Sequence, residues 1–132
     1  VQAHAVITYA ERVCFLRSHK ELLFRVEPLV ARVSGAWGNE LRCHELARAV
    51  HVIVADEEPK LVVVDGKCGP IEHSWLALPD AIIDPYVPGR LPAVQIVDPI
   101  VALDYRPGKR RSDIRQAIVA ALVLEMHGAR VL

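Results

Sequence analysis

The chain is short of cysteine, of excess charge and of long apolar runs, and each shortage removes a class of protein. Its three cysteines are Cys14, Cys43 and Cys68. So sparse and odd a set argues against a disulfide scaffold and suits a reducing compartment, so the cytoplasm is the expected location. The 16 basic and 16 acidic residues cancel, which removes the broad electrostatic pull toward nucleic acid or anionic lipid that a basic face supplies. The longest apolar stretch, residues 117–124, falls far short of the roughly 20 residues that span a bilayer. The first residues lack the basic-then-apolar order of a secretory signal, so no membrane partner is expected. The chain opens at Val1 rather than methionine, which leaves room for a removed leader. Low-complexity tracts and internal repeats are also missing, which excludes the disordered class. What remains is an apolar half, 52% of 132 residues, enough for one domain over residues 1–132 that buries about two thirds of its unfolded surface.

Patterning along the chain predicts an α+β fold. Between residues 2 and 33 the apolar positions recur mostly at helical spacing, with a break expected at Pro28. A helix is expected to start near Asn39, a good N-cap, and to carry the stripe Leu46, Val50, Ile53 and Val54. Residues 61–64 are a β-branched run followed by an expected turn at Asp65 and Gly66, and residues 71–78 read as a second strand. Pro79 and Asp80 turn the chain into residues 81–84. A Pro/Gly-rich connection over 85–92 leads to a further short strand at 94–97. A last helix is expected from an N-cap at Ser112 through Met126, ended by Gly128. Helices, then antiparallel-looking strands, then a helix make an α+β arrangement in which the central helix packs on a small sheet.

Thiol acyl transfer requires a cysteine placed where its thiolate is favoured, a histidine to take its proton and a third group to orient the imidazole. Cys43 falls near the start of the central helix, where the positive end of the helix favours a thiolate. Its place on the apolar stripe also fits a plain core cysteine. An even connection at residues 78–81 sets Trp75 opposite Asp84 and His73 opposite Tyr86, so His73, Trp75 and Asp84 share a sheet face. His73 and Asp84 are then diagonal neighbours, shielded by Trp75. An odd connection would send Asp84 to the other face. The first oxyanion donor is expected to be the Cys43 backbone N–H, and the second a side chain, Asn39 or Gln95.

The order of a helix-borne Cys43, then His73-Ser74-Trp75, then Ile83-Asp84-Pro85 resembles the transglutaminase-like branch of the papain-like cysteine hydrolases. The resemblance covers roughly residues 37–99. It implies a papain-like core with Cys43 as nucleophile, His73 as base and Asp84 as orienting group. It further implies amide or acyl chemistry (proteolysis, deamidation, amidase work or transamidation) on a protein or peptide substrate. The chain differs from that family in carrying Leu41 and Arg42 before the cysteine and His44 after it. Only 29 residues separate Cys43 from His73, so a compact variant is expected and the substrate is not carried over.

Other readings compete. Cys43, His44, Cys68 and His73 are all metal-ligand types, yet no Cys-x-x-Cys or His-x-x-x-His pair exists. Adjacent helical residues point about 100 degrees apart, so no metal and no cofactor is expected. Cys68 reads as a loop thiol. The basic group Arg106, Lys109, Arg110 and Arg111 would serve phosphate or nucleic acid, but without interleaved aromatics it reads as a solvated loop. Glu45, Arg48 and residues 56–58 read as solvated surface. Residues 117–124 are apolar nearly all round, more than one buried face needs, which raises a homo-oligomer through the C-terminal helix. It also raises the alternative of a non-catalytic protein-binding module.

Overall fold

A computed structural model describes residues 9–86, 94–100 and 102–130, with side chains set aside for 9–18, 39, 129 and 130. Residues 2–8 and most of the connection at 85–92 lie outside that set. Helix α1 (Tyr9–Trp37) leads through a short 3-10 turn (Gly38–Glu40) to helix α2 (Cys43–Val54). Strands β1 (Val62–Cys68), β2 (Ile71–Leu78), β3 (Ala81–Asp84), β4 (Gln95–Val97) and β5 (Tyr105–Pro107) follow, then helix α3 (Gln116–Arg130). The strands form one antiparallel sheet in the order β4-β3-β2-β1-β5. The fold is α+β.

Helix α1 does not break at Pro28 but runs through it. The carbonyl that Pro28 leaves without a donor belongs to Phe24, an exposed position where water can serve instead. The proline costs about 3 kcal/mol. Against it stand Leu22, Val26, Leu29, Val30 and Val33, all buried and each contributing roughly 1.5–3 kcal/mol. Burial wins.

Helix α2 starts later than Asn39, because Arg42 is extended (φ −109°, ψ 147°) and the helix opens on Cys43 itself. Its apolar stripe of Leu46, Val50, Ile53 and Val54 is buried as expected, against β2, α1 and α3. Helix α3 starts at Gln116 rather than after Ser112. The local cap is displaced: neighbouring Arg111 takes the Asp113 carboxylate at 2.8 and 2.9 Å, and across the fold Glu45 of α2 accepts the Arg115 N–H at 3.2 Å. Gly128 does not end α3 but lies inside it, where a Cβ would come within 3.1 Å of the Arg32 guanidinium of α1. Val119, Leu122 and Met126 point into the core, while Leu124 is exposed.

The expected turn at Asp65 and Gly66 is instead the middle of β1. Glycine is required there because β5 runs so close that a Cβ would collide with the Arg106 carbonyl. The turn lies at Gly69 and Pro70, with Gly69 in the left-handed region at φ 59°, which fits a two-residue type II′ hairpin loop. Cys68 therefore ends a strand rather than sitting in a loop. Strand β2 keeps the expected limits, and Leu78 pairs with Ala81, Ala77 with Ile82 and Leu76 with Ile83. That is the even register.

Alternation gives the sheet two faces. Leu76, Ala81 and Ile83 join the helices in the apolar core. Trp75, Ile82 and Asp84 occupy the opposite face, all buried. Among the described residues no helix is long and apolar enough to cross a membrane.

Candidate active site

The even register carries Asp84 and His73 to the same face, and they bond: Nε2 of His73 lies 2.7 Å from Oδ2 of Asp84. Both are buried, with Asp84 wholly inaccessible. A lone buried carboxylate would be costly, but Asp84 accepts three hydrogen bonds. Besides His73 these come from the Tyr105 hydroxyl to Oδ2 at 2.7 Å and from the Tyr86 backbone N–H to Oδ1 at 2.9 Å. With Nε2–H directed at Asp84, the other ring nitrogen of His73 is the one left to take a proton. Trp75 stacks near His73 with centroids 6.0 Å apart and meets Tyr105 edge-on at 5.2 Å. Gly66 pairs with His73 across β1 and has no side chain to compete for this space.

Cys43 and His73 line one cleft, near enough for each to shift the other's titration. Its volume is about 290 Å³, and Leu41, Ile71 and Tyr86 supply apolar wall. The cleft opens where β3 parts from β2: pairing stops at Leu76 and Ile83, and β3 continues beside β4, with Asp84 opposite Gln95. The edge of β2 before Trp75 is thereby left for the tip of α2. As the first residue of α2, Cys43 sits closer to the positive helix end than a start at Asn39 would have put it. The first intrahelical bond is Leu46 N–H to Arg42 O, so the N–H of Cys43 precedes the ladder and lies beside its own thiol.

The electrostatics describe an ion pair. Burial alone would push the Cys43 thiol up, but contacts with His44 and His73 bring it down to about 6 from an ordinary 9.0. Burial alone would lower His73, but Asp84, with Cys43, lifts it to about 9 from 6.5. Between these values the thiolate and imidazolium coexist, and the two titrations belong to the pair.

His44 also approaches the sulfur, at 3.6 Å from Nδ1 and 3.8 Å from Nε2. A point nearly equidistant from both ring nitrogens lies far off either N–H direction, so neither makes an aligned bond to sulfur. Nδ1 of His44 is engaged elsewhere, 2.6 Å from the Ser74 hydroxyl. Ser74 in turn donates to Oδ1 of Asp65 at 2.5 Å. Oδ2 of Asp65 receives the Arg48 guanidinium at 2.6 Å and the Arg111 N–H at 3.0 Å.

Several of these groups escape a reading of the sequence. Ser74, between His73 and Trp75, is sent to the helix side by alternation. Glu45 and Arg48, expected on solvated surface, are not: Glu45 is fully buried between Arg42 and Arg115, and Arg48 is largely buried against Asp65. Burial would raise the Glu45 carboxyl, but bonds from Arg42 and Arg115 hold it at about 2. The three-residue spacing from Arg42, just before α2, to Glu45 in its first turn was the available signal. Tyr105 lies on a three-residue strand without alternation and gave no signal.

Of the expected oxyanion donors, the side chain of Asn39 is outside the described residues. Gln95 is exposed on β4 opposite Asp84 and does not line the cleft. Among the described residues no three of His, Cys, Asp or Glu are grouped to hold a metal ion. Arg106 donates to the Gly69 carbonyl and Arg111 pairs with Glu72 and Asp113, so half of the basic group is engaged within the protein. No protein-family model, curated protein or solved structure matches the chain.

Proposed function

We propose that the protein is a cysteine-dependent hydrolase or transferase acting on an amide or related acyl bond. The observation that carries this is the placement of Cys43 and His73 along one cleft, with His73 bonded to buried Asp84 at 2.7 Å. Cys43 attacks the carbonyl carbon as thiolate, and the Cys43 N–H faces the oxygen that gains charge. His73 passes its proton to the leaving group as the tetrahedral intermediate collapses to a thioester. Asp84 holds the imidazole in the tautomer that presents its free nitrogen to sulfur. The cleft admits about one side chain, which suits an extended segment of a protein or peptide. Transglutaminase-like membership is proposed on His73-Ser74-Trp75 and Ile83-Asp84-Pro85 alone. A thiol nucleophile also suits the reducing cytoplasm.

Alkylation by iodoacetamide across pH tests the reading. Cys43 should react with a midpoint near 6, and His73→Ala should move that midpoint up toward 9 and abolish acyl transfer. A Cys43 that titrates like Cys68, whose thiol burial and nearby Asp84 and Asp104 push up, would remove the nucleophile and leave the binding-module alternative. An oligomer through α3 rests on exposed Leu124, and sedimentation of Leu124→Glu against the parent checks it.

A further inference from the structure

The thiol has two histidines beside it, and the triad uses only one. His44 is 7% exposed and lines the same cleft. Its surroundings fix its proton. Ser74 donates its single hydroxyl hydrogen to Asp65, so toward His44 it can only accept, and Nδ1 of His44 must be the donor across 2.6 Å. That leaves Nε2 with its lone pair, 3.8 Å from the sulfur. Asp65 is the anchor of this chain and is itself held by Arg48 and by the Arg111 N–H. The Arg48 guanidinium also bonds the His44 carbonyl at 3.0 Å, locking the residue at both ends. A structural contact between α2 and the sheet would be served as well by an apolar pair. Here three buried polar groups are spent on the orientation of one imidazole.

We infer that His44 is a second catalytic base, which deprotonates the acyl acceptor that releases the acyl group from Cys43. The inference rests on the thiol reading above. In acylation the S–C bond forms, the bond to the leaving group breaks, and the leaving group departs with the proton of His73. In the second step water or an amine attacks the thioester carbon. A bond from its oxygen or nitrogen to carbon forms, its proton goes to Nε2 of His44, and the S–C bond breaks to return the Cys43 thiolate. Cleft water then carries the proton from His44 to His73, restoring the starting pair. An acyl carbon on Sγ that lies to the side of the Sγ–Nε2 line leaves an attacking atom room within hydrogen-bond reach of Nε2.

The probe is p-nitrophenyl acetate with the full chain. Wild-type protein should give a burst of p-nitrophenolate and turnover, with acetyl on Cys43 by peptide mass. His44→Gln should keep the burst at one equivalent, accumulate acetyl-Cys43 and lose about 100-fold in turnover, the usual scale of a general base. Hydroxylamine, a strong nucleophile without base assistance, should discharge acetyl-Cys43 equally fast in both proteins. A misplaced site would not be rescued in this way. Ser74→Ala, which keeps both histidines, should show the same split in smaller measure, and covers the case in which His44→Gln fails to fold. A folded His44→Gln that deacylates at the wild-type rate, or one that loses the burst, overturns the role of His44 while the triad stands. Absence of acetyl on Cys43 in the wild type overturns the thiol reading, and this proposal with it.

Discussion

Two buried histidine–carboxylate chains meet at Cys43 from opposite faces of β2, and they differ in what balances the carboxylate. On the outer face Asp84 is bonded by a histidine, a hydroxyl and a backbone amide, and the described residues give it no arginine or lysine partner. On the helix face Asp65 is bonded by a hydroxyl, a backbone amide and the guanidinium of Arg48. Hydrogen-bond number is the same, three to each carboxylate. The charge is not: Asp84 has its field free to act on His73 and lifts it to about 9, whereas the charge of Asp65 is matched by Arg48. A carboxylate confers basicity on an imidazole only while its own charge is uncompensated. The first chain raises the basicity of His73, and the second fixes the tautomer of His44 with Nε2 open.

The largest consequence concerns Asp84→Asn. Acyl transfer should be confined at the acid end by Cys43, near 6, and at the alkaline end by His73, near 9. Without the carboxylate charge the alkaline limit should fall toward 6.5, closing most of the window, and turnover at neutral pH should drop about 100- to 1000-fold. A pH–rate profile reads both limits. The folded-state value of His73 is raised, so its contribution to stability is full below 6.5 and is lost as pH rises through 9. The stability gap between wild type and Asp84→Asn should shrink over that range.

Asp65→Asn should behave in the opposite sense. The alkaline limit should stay near 9, because no charge that acts on His73 has changed. Stability should fall by roughly 3 kcal/mol, since Arg48 is left buried without its partner. Burial would raise the Asp65 carboxyl, but Arg48, Ser74 and Arg111 hold it below its ordinary 3.8. Its contribution is therefore present above that value and lost as pH falls beneath it. Urea unfolding at pH 7 should show the deficit, and the two proteins should converge in acid. An alkaline limit that moved in Asp65→Asn would deny the distinction between the chains.

The two chains were unequally legible in the sequence. The outer one follows from local rules: residues 79–80 form a two-residue connection, period-two alternation fixes which side chains share a face, and His73, Trp75 and Asp84 follow by counting. The helix-side chain joins Asp65, Ser74, His44 and Arg48 from three elements, and Asp65 and Gly66 carry the signature of a turn. Only the proximity of β5, which excludes a side chain at Gly66, shows why glycine is there. The start of α3 was misread for a related reason. Ser112 is a good local cap, but the cap that operates is Glu45, 70 residues earlier, on Arg115. Contacts between elements outweighed local preference at both places, and such contacts leave no periodic trace.

The smallest effect isolates the neutral donor on Asp84. Tyr105→Phe removes one hydroxyl bond of 2.7 Å but keeps the ring that meets Trp75 edge-on. A hydrogen bond to a buried carboxylate contributes about 1.5 kcal/mol or somewhat more, and thermal unfolding should register a loss of that order. The charge of Asp84 is unaltered and one competing donor is gone, so its bond to His73 should strengthen. The alkaline limit should therefore move up by a few tenths of a unit, opposite in direction to Asp84→Asn. If it moved down instead, the basicity of His73 would depend on the number of hydrogen bonds at Asp84 rather than on its unmatched charge.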